Sequence, residues 1–146
     1  MSMPRVRGLI NSSNFSIEGS AKPSSIVDII GRITAPADIA NALEKEAGNI
    51  RANIPKGAWF CVLTPEGKTL SSPAFAEKLT DVKLSGKSSA CFLIGSSYGI
   101  SESVKVIADF KLSMGAMTFP HHLARIMLLE QLYRAESIQA GSKYHK

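Results

Sequence analysis

The chain has 146 residues, of which 45% are hydrophobic and 20% charged, a balance typical of one globular domain and not of a disordered chain. Its formal net charge of +5 at pH 7 is compatible with a polyanionic partner but does not establish one, because the basic residues are dispersed. No apolar run is long enough to cross a bilayer, and the first residues lack the apolar segment of a secretory signal. A cytoplasmic location is therefore expected.

The first half of the chain alternates short apolar runs with segments of helical periodicity. Residues 6–10 could form a short strand, and residues 26–30 form a β-branched run that predicts another. A helix is expected from Pro36 until the chain reaches Pro55, because one face repeats apolar side chains at helical spacing. Residues 59–64 are apolar up to Leu63 and predict a buried strand that ends at Thr64.

The second half continues this alternation. A turn is predicted at residues 65–68, and Ser72 is the expected N-cap of a helix with Pro73 at its first position. Residues 90–94 predict a third apolar strand, and residues 101–109 a further helix.

A short strand at residues 110–113 and a last helix at residues 120–139 complete the predicted elements. Strands that alternate with helices and are apolar along their whole length are typical of a parallel sheet. The sequence therefore predicts an α/β domain with a mostly parallel sheet.

The last helix has apolar side chains on more than one side. Such a helix is either deeply buried or covered by a second subunit, and its terminal position in a small domain favours a dimer interface. The residues are Leu123, Ile126, Met127, Leu128, Leu129 and Leu132.

The two cysteines, Cys61 and Cys91, each lie inside an apolar run. Cysteines in such runs behave as small core hydrophobes, and no neighbouring residue would activate either thiol. We therefore expect neither a disulfide nor a metal site.

A glycine-bounded loop at residues 95–99 follows one predicted strand and precedes a helix. Such a loop can bring backbone N–H groups to a ligand, but it matches neither common nucleotide-binding pattern, and on its own it favours an ordinary strand-to-helix turn. Ligands of open α/β sheets bind at the carboxyl ends of the strands, where residues 63–64 and 113–119 are also expected. Within the second segment, the two methionines are either core filler or the apolar walls of a site for a flat cofactor.

His121 and His122 follow Pro120 at a helix start. The helix dipole disfavours a cation there, so neutral imidazole is expected, which suits a base or a hydrogen-bond acceptor. Partly exposed first-turn histidines without a role are the alternative. Neither a nucleophilic system nor a third ligand at metal-binding spacing accompanies them.

Basic residues surround the last helix and the tail. Arg134 could form only an i,i+4 ion pair with Glu130 on a solvated face. Alternatively, Arg125, Arg134 and the lysines of the tail could hold phosphates while aromatic side chains stack on an exposed base.

The C-terminal residues resemble the end of the RlmH family, the SPOUT-class methyltransferases that modify N3 of a pseudouridine in 23S rRNA. The resemblance is carried by residues 117–121, 129–135 and 141–146, and it extends in order over residues 26–146. Upstream, Leu63, Gly67-Lys68, residues 93–95 and Gly99 match.

This resemblance implies a single SPOUT-like domain over residues 1–146, with residues 1–25 poorly defined, a C-terminal trefoil knot and a homodimer. It implies methylation of N3 of a pseudouridine in 23S rRNA within the assembled ribosome, without a metal. The implied cofactor is S-adenosylmethionine, held by Leu63, Gly95, Met114, Gly115, Ala116, Met117, Thr118 and Phe119. The implied catalytic residues are His121, Arg134, Tyr144 and His145, and which of them helps to deprotonate the base stays open.

Two other functions are compatible with the sequence. A relative that binds ribosomes or RNA without catalysis is one, because Ser96 replaces a glycine common in the family and the family's usual first strand is poorly defined in residues 1–25. A flavodoxin-like nucleotide-binding protein that uses residues 95–99 is the other.

Overall fold

The computed structural model describes residues 5–10, 36–87, 89–95 and 99–145 of the chain. The predicted strand at residues 26–30 and the position of Ser96 lie outside these ranges. The described elements are, in chain order, β1 (Arg5–Ile10), α1 (Pro36–Asn53), β2 (Trp59–Thr69), α2 (Ser72–Leu84), β3 (Ser89–Ile94), α3 (Glu102–Ile107), β4 (Phe110–Ser113) and α4 (His121–Gln139). The predicted alternation of strands and helices is confirmed.

The four described strands form one parallel sheet in the order β1-β3-β2-β4. β3 lies in the middle, so that Ile94 at its end is paired with Ile10 on one side and with Leu63 on the other. Leu63 is paired in turn with Leu112 of β4. Because all strands run in one direction, their carboxyl ends meet at one edge of the sheet, as predicted.

Side chains alternate across the sheet and divide the core into two halves. Trp59, Cys61 and Leu63 of β2 pack with Phe92 of β3 against helices α2 and α4. Phe60 and Val62 of β2 and their neighbours on β3 pack on the other face with α1 and α3. Helices therefore cover both faces, which explains why residues 59–63 of β2 and 90–94 of β3 are apolar without interruption.

Both cysteines are fully buried, as expected for core residues. Cys61 belongs to the half of the core under α2 and α4, and Cys91 to the half under α1 and α3. Burial raises the pKa of the Cys61 thiol, so this sulfur is protonated and unreactive at neutral pH.

The predicted turn at residues 65–68 is wrong, because β2 continues to Thr69. Leu63 and Lys68 are both paired with Leu112, so the four residues between them form an irregular bulge while the strand continues along β4. Gly67 makes the bulge possible, since its backbone lies directly against β4. A proline and a glycine thus mark a bulge here and not the end of the strand.

The predicted N-cap of α2 is also displaced by one residue. The hydroxyl of Ser71, not that of Ser72, accepts the backbone N–H of Ala74 at 3.2 Å. Ser72 is the first helical residue, and its hydroxyl donates to Gln131 Oε1 at 2.6 Å. This bond ties α2 to α4.

Helix α3 is shorter than predicted, because the residues on either side of it form hydrogen bonds outside the regular helix. Ser101 is its N-cap and accepts the backbone N–H of Ser103 at 3.2 Å. Asp109 exchanges two hydrogen bonds with Phe60: its N–H donates to the carbonyl at 2.8 Å, and its carboxylate accepts the Phe60 N–H at 2.7 Å. This exchange draws the chain out of the helix and into β4.

Over the described ranges, no helix is both long enough and apolar enough to span a membrane. The knot and the homodimer implied by the resemblance stay predictions.

Candidate active site

A cavity of about 1040 Å³ lies at the carboxyl edge of the sheet. The end of β2 with its bulge, the β3–α3 connection and the β4–α4 connection with the first turn of α4 form its walls. Its volume is at the upper end of the range for pockets that hold small molecules. The position is the one expected for a ligand site in an open α/β sheet.

Seven of the eight residues predicted to hold a cofactor line this one cavity. Ala116 is the exception: it is exposed and lies outside the lining. The structure therefore brings together side chains and backbone from three separate segments of the chain, although their role as a cofactor site stays a prediction. The seven are Leu63, Gly95, Met114, Gly115, Met117, Thr118 and Phe119.

The β4–α4 connection supplies an apolar wall that is only partly anchored. Met114 and Phe119 are half-buried and pack against the core while they also line the cavity. Met117 is 77% exposed, which excludes core filling as its role. Gly115, at φ 122°, has a backbone conformation that other residues rarely adopt.

Gly95 fits its position because Gly99 and Ile100 lie directly against it at the end of β3. A Cβ at residue 95 would lie 2.6 Å from Cγ1 of Ile100 and 3.2 Å from the backbone of Gly99. The glycine therefore allows a tight approach and leaves backbone exposed to the cavity.

A polar network on one wall was missed by the sequence reasoning. Lys105 Nζ donates to Glu66 Oε1 at 3.0 Å and to Glu102 Oε1 at 2.9 Å. The hydroxyl of Thr64 donates to the other oxygen of the Glu66 carboxylate. All four residues line the cavity. A signal was present in the sequence, because Glu66 follows a predicted strand at the edge where ligands were expected.

His121 is the only predicted catalytic residue that lines the cavity. Burial lowers the pKa of its imidazole, and the neighbouring His122, whose ring centroid lies 3.9 Å away, lowers it further. The direction agrees with the expectation from the sequence, but burial is the larger cause. His121 is therefore neutral at pH 7 and can accept a proton.

The other three predicted catalytic residues form a second cluster around Arg134 on α4. Its guanidinium donates to Glu130 Oε1 from Nε at 2.9 Å and from Nη2 at 2.6 Å, and this contact lowers the pKa of the Glu130 carboxyl. Arg134 Nη1 lies 3.3 Å from His145 Nδ1. The guanidinium lies 4.9 Å from the ring centroid of Tyr144, whose hydroxyl donates to Glu130 Oε1 at 3.3 Å.

These two groups are separated along α4 within one chain. Arg134 is thirteen positions after His121, which corresponds to about 20 Å at a rise of about 1.5 Å per residue. The tail thus folds onto the far half of α4 and not onto the cavity. The interpretation of Arg134 as a mere ion-pair partner is incomplete, since it also holds the tail.

The surface of α4 between the two groups is partly apolar. Ala124, Leu128 and Leu132 are buried against the sheet. The other side of the helix exposes large hydrophobic side chains, with Ile126 at 63% and Tyr133 at 62%. The two-sided pattern noted in the sequence therefore corresponds to one packed and one exposed face.

In the part of the chain that the structure describes, no three His, Cys, Asp or Glu side chains are grouped as a metal ion would require.

The sequence matches a known protein family. The family described as "Predicted SPOUT methyltransferase" matches residues 20–145. The chain belongs to the SPOUT methyltransferase family. Members of this family transfer a methyl group from a donor, so the cavity is the natural place to look for a donor site.

The similar proteins include several named ribosomal RNA large subunit methyltransferase H. The protein from Dinoroseobacter shibae is 42% identical over 85% of this chain and 76% of its own length. The one from Ruegeria pomeroyi is 44% identical over 79% and 74%, and the one from Carboxydothermus hydrogenoformans 45% over 77% and 70%. The resemblance to the RlmH family is thereby confirmed.

Proposed function

We propose that this protein is a cytoplasmic, S-adenosylmethionine-dependent methyltransferase that modifies N3 of a pseudouridine in 23S rRNA on the assembled ribosome. The observation that carries the proposal is the convergence of seven predicted cofactor residues on one cavity in a chain of the SPOUT family. The names of its relatives support large-subunit rRNA as the substrate.

The cavity fits S-adenosylmethionine in size and in the character of its walls. Gly95 and Gly115 leave backbone groups open to a ligand, while Leu63, Met114 and Phe119 offer apolar surface. When bound, S-adenosylmethionine supplies an electrophilic methyl group. The residues of this chain hold and orient the reacting groups, and such alignment accounts for a large share of the barrier in group transfer.

His121 is the best-placed proton acceptor in the described chain. N3 of the substrate base carries a proton that must leave before or during attack on the methyl group. A ring nitrogen of neutral His121 can accept it, because burial holds the pKa of this imidazole below its ordinary value. Arg134, Tyr144 and His145 are proposed to hold and polarise the base.

The separation of these groups favours a site shared between two subunits. Arg134 lies about 20 Å along α4 from His121, beyond the reach of side chains in one chain. A second copy packed on the exposed face of α4 would cover its apolar side chains and could bring its own tail to the cavity. We therefore propose a homodimer, with α4 passing through a C-terminal trefoil knot, an exception to the usual absence of threading.

The test is transfer of a labelled methyl group to ribosomes that lack the modification. Purified protein and labelled S-adenosylmethionine would be incubated in three separate reactions, with 70S ribosomes, with free large subunits and with naked 23S rRNA. We expect transfer to assembled particles, and mass mapping should place one methyl group on N3 of a pseudouridine.

A family member of known activity serves as the positive control. If it modifies the particles while this protein does not, the enzymatic proposal is wrong. Calorimetry then separates the alternatives: a folded protein that binds ribosomes but no S-adenosylmethionine would be a non-catalytic relative, and bound flavin would indicate the nucleotide-binding protein.

A further inference from the structure

The carboxylate of Glu66 is held in one orientation by two different donors. The hydroxyl of Thr64 donates to Oε2, and Lys105 Nζ donates to Oε1 at 3.0 Å. The backbone N–H of Glu66 also bonds its own carboxylate and, with Lys105, lowers the pKa of that carboxyl. A carboxylate has about four lone-pair positions on its two oxygens, so about one of them stays available. The acceptor is therefore oriented before any ligand binds.

The two positioning groups are buried and the carboxylate is open. Thr64 is 6% exposed, and the Lys105 side chain is 11% exposed. The Glu66 side chain, in contrast, is 64% exposed and lines the cavity. The network thus presents one fixed carboxylate to whatever occupies the cavity.

We propose that Glu66 accepts a hydrogen bond from the ribose hydroxyls of the methyl donor, and that Thr64 and Lys105 are the residues that position it. This inference rests on the proposed function, because it assigns one part of the same ligand to one wall of the same cavity. Glu66 lies just beyond the carboxyl end of the regular part of β2, the edge where acidic residues of open α/β sheets bind ribose hydroxyls.

Lys105 compensates part of the charge of Glu66. Its ammonium bonds Glu66 and Glu102 at once, so the three side chains together keep one negative charge. Hydroxyl groups can donate to the remaining acceptor position without adding a charge beside the Lys105 ammonium. The ammonium and sulfonium of S-adenosylmethionine are the competing partners, and ligands that lack them distinguish the two cases.

The test compares ligands that share the adenine and differ in the amino-acid part or in the ribose hydroxyls. Calorimetry would give Kd values of the full-length protein and of Glu66→Gln for S-adenosylhomocysteine, for methylthioadenosine, which lacks the amino-acid part, and for methylthioadenosine without its 2′ and 3′ hydroxyls. We expect the substitution to raise the Kd of each of the first two ligands about tenfold, which is the effect of losing a hydrogen bond to a charged group. The Kd of the third ligand should not change.

Two results would overturn the proposal. If the substitution weakens S-adenosylhomocysteine but not methylthioadenosine, Glu66 contacts the amino-acid part. If it weakens the dideoxy ligand as much as methylthioadenosine, the ribose hydroxyls are not its partners. Failure of the unsubstituted protein to bind S-adenosylmethionine or S-adenosylhomocysteine would instead contradict the proposed function.

Matched variants separate a binding role from a structural one. Glu136→Gln breaks a different lysine–carboxylate pair, with Lys83, about 22 Å along α4 from His121, and should leave all Kd values unchanged. Lys105→Met should raise the Kd only of the ligands that carry ribose hydroxyls. In the double variant with Glu66→Gln, the Kd should rise little beyond that of Glu66→Gln alone, because Lys105 acts through Glu66. Full additivity would show that Lys105 does not position this carboxylate.

Discussion

The backbone of Leu112 lies so close to Gly67 that a Cβ at residue 67 would stand 2.6 Å from the Leu112 carbonyl carbon. No real Cβ tolerates that distance to a backbone atom, and backbone cannot move aside as a flexible side chain can. This contact joins the bulge of β2 to β4, so it sets the shape of the wall that carries Thr64 and Glu66.

Replacing this glycine should destabilise the fold. We expect Gly67→Ala to lower the free energy of unfolding by about 2 kcal/mol, as for other overpacked sites, because β4 must shift away. Gly48→Ala is the control: residue 48 lies inside α1 with nothing within 4 Å of an added Cβ, so it should stabilise by about 0.5–1 kcal/mol. Urea unfolding measures both. Equal effects of the two substitutions would contradict the contact.

The tail should be needed for activity and dispensable for folding. Tyr144 is 45% exposed, and its contacts are with Tyr133, Arg134 and Glu130 on the surface of α4. Deletion of residues 144–146 should therefore abolish methyl transfer and move the unfolding midpoint little. Methylation and thermal unfolding of the same preparation check this. Activity retained by the truncated protein would remove the tail from the site.

The exposed face of α4 should hold two copies together. Ile126 lies on this face of α4 and is 63% exposed. Ile126→Glu should therefore place a charge in the interface and shift the protein to monomers. Val106→Glu is the control, since Val106 is 77% exposed but lies on α3, which packs on the opposite face of the sheet. Light scattering across a concentration series gives the mass. A dimer that survives the first substitution would place the interface elsewhere.

The pH dependence of methyl transfer should follow His121. Because its pKa lies below the ordinary value of about 6.5, the imidazole stays neutral and active until the pH falls below that value. His121→Gln should reduce the rate about a hundredfold or more, as expected when a general base is lost, whereas His122→Gln should not.

The same pKa shift predicts the direction in which stability changes. The unfolded chain binds a proton at residue 121 more readily than the folded one, so stability should fall as the pH drops through about 6.5 and be fully regained above it. In His122→Gln the pKa of His121 should rise, because a neighbouring charge is removed. An NMR titration of the histidines measures this pKa, and the signal of His121 is the one that is missing in His121→Gln. A pKa of His121 at or above 6.5 would contradict the prediction.

The strands and helices were predictable from the sequence because both depend on local apolar spacing. Residues 90–94 could be buried on both faces only within a parallel sheet, and the structure confirms this. The bulge of β2 was not predictable in the same way. Pro65 and Gly67 are ordinary turn residues, and only the pairing of Lys68 with Leu112 shows that the strand continues.

The candidate site was likewise predictable only in part from the sequence. Residues 114–121 follow one strand directly, so their place at the carboxyl edge follows from topology. The pairing of Glu66 with Lys105 joins positions 39 residues apart, and no local pattern encodes it. The distance between His121 and Arg134, in contrast, is implied by their spacing on one helix.

Because the two cysteines are buried, their reaction with a thiol reagent can report when each half of the core opens. Cys61 and Cys91 have no exposed surface, and each belongs to a different half of the core. A thiol reagent in solution can therefore reach either sulfur only after helices leave the corresponding face of the sheet. The rates at which the two sites become labelled would report separately on the loosening of each face, and equal rates would mean that both faces open in one event.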